Sequence, residues 1–267
     1  MKSGCSKFVA LKNEIYILFF IASLFTPIPA HPNEVQNWIM KGMEPNSITI
    51  IGEQHKRPES IQLFQSIISE YLEQDKCLVV TLEIASSQQV ILDEIVEGKT
   101  TVSDIEIPPM IDHPPFRGLI NDLAKMARSN DCLKLIAIDG GIGMGIRRDE
   151  WMAKILAGQV SQVPILTLLG NLHTLKKVDW NMPMSKTSPY VSEILATLGH
   201  RSRTFPQIWE DKTCAIYNRF VPSDSKEAEE LINSKLVTLL NASDYKMVND
   251  TVDGIILWEC NGTAQRK

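Results

Sequence analysis

Short apolar, β-branched runs alternate along this chain with helix-length amphipathic segments, and that alternation constrains the fold more than any other feature. Ser47–Gly52 ("SITIIG"), Leu78–Ala85 ("LVVTLEIA"), Leu133–Asp139 ("LKLIAID") and Pro164–Gly170 ("PILTLLG") have the length and composition of strands buried on both faces. Between them, residues 58–74 carry apolar side chains at 61, 64, 67, 68, 71 and 72, a helical stripe. Residues 86–97, 116–129, 148–160 and 189–198 read as further helices. Strands near 202–208 and 214–220, a helix near 225–240 and a strand at 254–259 complete the pattern. Strand–helix–strand repetition predicts an α/β fold, a central, mostly parallel sheet covered by helices on both faces. No internal repeat or linker divides it, so residues 31–267 read as one domain.

The first 30 residues stand apart. Lys2, Lys7 and Lys12 precede the apolar run Ile15–Phe25, which is about half of the ~20 residues a membrane-spanning helix needs. Ala30 closes a stretch with the form of a cleavage region, so residues 1–30 read as a signal peptide and the mature chain as exported, periplasmic or secreted. An uncleaved anchor is the alternative. In an oxidising compartment Cys77, Cys132, Cys214 and Cys260 form an even set; the favoured pairing is 77–132 with 214–260, and four buried free thiols is the alternative. With 267 residues, 44% hydrophobic and 22% charged, the chain has an ordinary globular composition. A net charge of -5 and the lack of a basic cluster exclude a nucleic-acid partner class.

Parallel sheets bind ligands at the carboxyl ends of their strands, and three strands here end in catalytic types of side chain. The first runs into Gly52-Glu53-Gln54-His55, the second carries Glu83, and the fourth runs into Gly170-Asn171-Leu172-His173; the third ends at Asp139. Glu53 and His55, two apart on an extended segment, address one side. An acid within "LVVTLEIA" is costly unless paired or liganded. Two imidazoles and a carboxylate (His55, His173, Glu83) suit a divalent transition metal such as Zn, Mn or Co. Without metal, the same set gives a histidine general base oriented by a carboxylate. Each residue alone has a structural reading, as a hydrogen-bonded strand-end group. "GGIGMG" (residues 140–145) reads as a flexible loop, His113 as a loop residue and His200 as structural. Asn241, Asn249 and Asn261 head glycosylation sequons that matter only in a eukaryotic source.

In order along residues 47–200, "IIGEQHKRPESIQLFQSII", "VVTLEIASSQQVILDE", "RRDEWMAKI", "LLGNLHTLKKV" and "SPYVSEILATLG" resemble the Tiki/TraB/ChaN/erythromycin-esterase-like superfamily, with "GEQH" and "LEIASSQQ" most similar to its ChaN-like haem-uptake branch. The resemblance implies that His55 and His173 are the motif histidines and Glu83 the motif glutamate. It implies metal-dependent proteolysis if the Tiki branch is followed, and hydrolysis by acid and histidine if the esterase branch is. Glu53 matches the esterase and ChaN form of the first motif and would be a ligand or general base. Arg148 matches a helix arginine that reaches the cleft and would bind an anionic group or transition-state charge. From the ChaN branch comes the alternative of a haem-binding protein in iron uptake, with Tyr190, Met182 and Met184 as candidate haem ligands and a membrane-associated uptake partner. The ligand expected is thus a small molecule, a peptide or haem. A fold relic without activity is the third reading.

Overall fold

The computed structural model describes residues 34–140, 145–177, 179–180, 189–211, 213–215, 217–237, 242–244 and 248–260. The proposed leader, most of the 140–145 glycine loop, and Met182 and Met184 lie outside the described residues. No described helix is long and apolar enough to cross a membrane.

The chain orders its elements as α1 (Glu34–Met40), β1 (Ser47–Glu53), α2 (Pro58–Leu72), β2 (Leu78–Ala85), α3 (Gln89–Glu97), α4 (Pro114–Ser129), β3 (Leu133–Asp139), α5 (Arg148–Gln159) and β4 (Ile165–Gly170). Then follow β5 (Asp179–Trp180), α6 (Val191–Thr197), β6 (Arg201–Phe205), β7 (Gln207–Trp209), β8 (Tyr217–Pro222), α7 (Lys226–Leu231), β9 (Ala242–Asp244), α8 (Val248–Thr251) and β10 (Gly254–Glu259). The main sheet has the order β3-β2-β4-β1-β6, with every pairing parallel. This is the α/β architecture expected from the alternation of patterns.

Strand periodicity decides which side chains meet which helices. Ile51, Val80, Leu82, Leu135, Leu166 and Leu168 point into a core shared with Phe64 and Ile67 of α2 and Leu119 and Leu123 of α4. Their neighbours Ile48, Ile50, Val79, Ile136, Ile138, Ile165 and Leu169 face Met152 and Leu156 of α5 and Val191 and Leu195 of α6 on the other side. Each such fully buried side chain contributes about 1.5–3 kcal/mol of transfer free energy. Helix boundaries follow local chemistry: α2 and α4 begin with Pro58 and Pro114 at the first turn, and α3 ends at Gly98, whose φ of 77° suits a left-handed cap.

The chain departs from the sequence reading in its last third. One strand expected near 202–208 is two, because Pro206 supplies no N–H to continue the ladder. β6 stays on the edge of the main sheet while β7 joins a second sheet of order β7-β10-β8. There β10 runs parallel to β7 and antiparallel to β8. The helix expected over 225–240 shortens to α7 and continues as a wider π turn at Ile232–Val237. A disulfide joins Cys77 and Cys132 at the starts of β2 and β3, as expected. The second expected pair does not form: Cys214 and Cys260 are free thiols.

Candidate functional site

The carboxyl ends of β1, β2, β3 and β4 gather the polar groups. After Glu53 the chain reverses through Lys56, whose φ of 65° is left-handed, and enters α2 at Pro58. The reversal folds His55 back so that its Nδ1 lies 2.8 Å from Glu53 Oε1. Glu53 is 3% exposed, and its Oε2 is buried without a hydrogen-bond partner. The hydrogen bond with Glu53 raises the His55 pKa above its ordinary 6.5; burial opposes this, and the charge of Glu83 adds to it.

A second pair repeats the arrangement. β4 ends at Gly170 and turns through Asn171–Thr174, which carries His173. His173 Nδ1 lies 2.6 Å from Asp149 Oδ1, and Asp149 Oδ1 also accepts from the Val191 N–H at 3.2 Å. The Ser192 hydroxyl donates to the His173 carbonyl at 2.6 Å, fixing the turn on α6. Among the described residues, the Nε2 atom of neither imidazole makes a hydrogen bond. The two rings converge over Gly170. A Cβ placed there would meet His55 Cε1 at 3.2 Å, His55 Nε2 at 3.4 Å and His173 Cδ2 at 3.6 Å.

Arg148 forms the floor beside them. Its Nε and Nη2 donate to Asp139 at 2.7 and 2.9 Å, and Nη2 also donates to Glu83 Oε1. Glu83 Oε2 accepts from the Gly170 N–H at 2.8 Å. Burial works against the Arg148 charge, but the bond to Asp139 and the charges of Glu83 and Asp139 outweigh it and raise its pKa. The acid that "LVVTLEIA" made costly is thus paired, and Arg148 serves two buried carboxylates of the protein rather than standing ready for an anion.

Of the three residues expected to share a divalent ion, His55 and His173 are brought together, while Glu83 has both oxygens engaged, by the guanidinium and by a main-chain N–H. No group of three or more metal-ligating side chains converges among the described residues. A cation on Glu83 would also stand against Arg148. The donor set therefore does not fit a resident Zn, Mn or Co. For haem, Tyr190 packs edge-on to His173 with ring centres 5.9 Å apart. Burial, with the charges of Asp149 and Glu193, pushes its phenol up to about 12.

Two residues here escaped the sequence reading. Asp149 reads as an acid in the first turn of a helix, where the macrodipole alone accounts for it. Gln207, fully buried, donates to the Gly52 carbonyl at 2.7 Å and accepts from Trp258 Nε1 at 2.9 Å. Asn171 holds the Gln207 backbone by reciprocal bonds of 2.7 and 2.9 Å. Gln207 thereby ties both histidine turns to the second sheet.

No family model matches the chain, and no curated protein does. Among solved structures, it is similar at 12% identity to a mutant of erythromycin esterase EreC in its open conformation, over 87% of this chain and 95% of that one, with a TM-score of 0.57. A succinoglycan biosynthesis protein matches at 9% identity over 87% and 92%, with a TM-score of 0.61. ChaN of Campylobacter jejuni, described with cofacial haem, matches at 11% identity over 84% and 91%, with a TM-score of 0.47. The fold is thus shared with the erythromycin esterase EreC and succinoglycan biosynthesis protein structures, and it is the α/β fold that the sequence resemblance implied.

Proposed function

We propose that this chain is an exported hydrolase that cleaves an ester or amide bond in a small molecule or peptide with a histidine-activated water. The observation that carries this reading is the pair of carboxylate-backed imidazoles over Gly170, each with Nδ1 engaged and Nε2 open. Nδ1–H donation to a carboxylate fixes the tautomer whose Nε2 accepts a proton. His55 Nε2 takes a proton from water as the oxygen attacks the carbonyl carbon. Glu53 stabilises the imidazolium that forms. The tetrahedral intermediate collapses when the leaving oxygen or nitrogen receives a proton from the protonated His173, and the two histidines then exchange protons with solvent. Arg148 positions Glu83 and Asp139, and Glu83 holds the Gly170 backbone under the reacting atoms. Export is supported by the leader pattern and the Cys77–Cys132 disulfide, with residues 31–267 as the mature single domain.

The test is turnover of a panel of esters and peptide amides by wild type and His55→Gln, with and without a chelator. Hydrolysis that persists in chelator and falls at least about 10²-fold in the variant supports the reading. Activity lost on chelation and restored by a divalent ion, or unchanged in His55→Gln, overturns it.

A further inference from the structure

A cavity of about 470 Å³ lies beside β6, whose ionisable lining is Lys176, His200, Arg201, Arg203 and Asp253. β6 is the last strand of the main sheet and pairs with β1 on one side only. Ser47 and Arg201, the paired first residues of β1 and β6, both border the cavity. It therefore sits toward the amino ends of the strands, whereas the histidines sit at the carboxyl ends. The run of β1 from Ser47 to Glu53 between them is about 20 Å long at about 3.3 Å per residue.

The charges around this cavity do not cancel: Lys176, Arg201 and Arg203 face it against the one carboxylate of Asp253. Asp253 is answered within the protein, by an ion pair with Lys176 and by the Thr204 N–H at 2.8 Å. Arg201 meets Glu44 at 3.3 Å, but the two side chains are 77% and 56% exposed, and such a pair holds an arginine weakly. Arg203 touches no carboxylate. Its Nη1 and Nη2 donate to the Ile39 and Trp38 carbonyls at 3.2 and 3.3 Å, and its guanidinium lies 5.0 Å over the Phe205 ring. Carbonyls at the end of α1 explain where Arg203 sits, yet they supply partial charge only. An arginine has five N–H donors, and those that do not meet these carbonyls have no partner among the described residues. Burial lowers the Arg203 pKa, and the charges of Asp253 and Glu44 offset this only in part. A Cβ at Gly42 would stand 1.4 Å from Arg203 Nη1, so glycine there leaves the room that the guanidinium occupies. The His200 ring, which also borders the cavity, makes no hydrogen bond among the described residues.

We propose that this cavity is a second ligand site, which takes a small molecule through its phosphate or carboxylate group, with Arg203 as the anchor and Arg201 closing on the anion from the rim. The planar fork of a guanidinium matches two oxygens of either group, and bonds between full charges are the stronger kind. A bound oxyanion supplies the full negative charge that Arg203 lacks, and a His200 ring nitrogen adds a donor. The volume lies within the range of about 300–1,000 Å³ found for small-molecule sites, so the ligand is larger than its anionic group alone. The site stands independently of the hydrolase reading.

The experiment is isothermal titration calorimetry of the full chain with citrate and with pyrophosphate, at about 0.15 M salt so that diffuse surface attraction is screened. Wild type is expected to bind at least one probe with a Kd below about 1 mM; citrate alone assigns a carboxylate ligand, pyrophosphate alone a phosphate. Arg203→Gln should weaken that binding at least about 10-fold and Arg201→Gln several-fold, while His55→Gln leaves it unchanged. If Arg203→Gln fails to fold, Arg201→Gln, whose side chain is largely exposed, carries the comparison. No binding of either probe by wild type, or wild-type affinity in the folded arginine variants, overturns the site. Binding lost in His55→Gln and kept in the arginine variants places the anion in the histidine cleft and overturns it as well.

Discussion

His173 Nδ1 lies 2.6 Å from Asp149 Oδ1, and this contact duplicates, on the far side of Gly170, the 2.8 Å contact between His55 and Glu53. Two imidazoles oriented by separate carboxylates allow one to accept a proton while the other gives one. If His173 protonates the leaving group, Asp149→Asn and His173→Gln lower kcat by about 10²–10⁴-fold for alkyl esters and amides. The loss is much smaller for aryl esters, whose phenolate departs without a proton. Rates on an alkyl and an aryl ester of the same acid check this. Equal losses on both would make Asp149 a structural support only.

The Glu53 bond sets a pH signature. Because the His55 pKa is raised, chiefly by that bond, the imidazole is charged and useless as a base until pH exceeds a value above 6.5. The acid limb of kcat/KM is expected above that point, and Glu53→Gln should move it to lower pH. Linkage has a defined sign. A raised pKa adds stability that is fully present below the unfolded value of 6.5 and is lost as pH rises through the folded value. Thermal midpoints of wild type and Glu53→Gln should therefore converge as pH climbs through that window. An acid limb that does not move in Glu53→Gln removes Glu53 from this role.

Most of the sheet was legible because its strands are buried on both faces and punctuated by helix starts. β2, β3 and β10 fall where their apolar runs lie, and the ends of β1 and β4 bring His55 and His173 together. Pairing partners were less legible. Glu83 was recognised as a residue that needs a partner, but which cation meets it depends on α5 docking across β3. Arg148 reads equally well as facing a ligand or facing inward, and only the buried Glu83 and Asp139 decide it. α1 has seven residues, too few for a periodic signal, and the β6–β7 break rests on where Pro206 falls relative to two sheets.

Arg148 gives a stability prediction. Glu83 and Asp139 are 3% and 4% exposed and share its guanidinium. Removing one partner of such a set leaves buried charge uncompensated, at about 3–5 kcal/mol. With 44% of the arginine side chain exposed, Arg148→Met is expected at the lower end, about 3 kcal/mol. Adding Glu83→Gln and Asp139→Asn should recover much of that loss, since neutral amides need no counter-charge. Urea unfolding of the single and triple variants measures it. A triple variant less stable than Arg148→Met contradicts the pairing.

Gly170 separates packing from chemistry. Its φ of -56° and ψ of 146° are open to any residue, and it meets Glu83 Oε2 through its backbone N–H, which alanine also has. Alanine there carries no backbone strain and reduces unfolded-chain freedom, which stabilises by up to about 1 kcal/mol. Yet the added methyl would stand 3.2 Å from His55 Cε1 and 3.4 Å from Nε2, closer than van der Waals contact allows, so the His55 ring must shift by a few tenths of an ångström. It also fills the gap between the two rings, where the substrate carbonyl and water must fit. Displacements of this order in a reacting geometry cost up to about 10²-fold in rate. Gly170→Ala is therefore expected to keep a thermal midpoint within a few degrees of wild type while losing about 10²-fold in kcat. Paired calorimetry and kinetics decide the matter: wild-type turnover in a folded Gly170→Ala protein would mean that the space between His55 and His173 is not where bonds are broken.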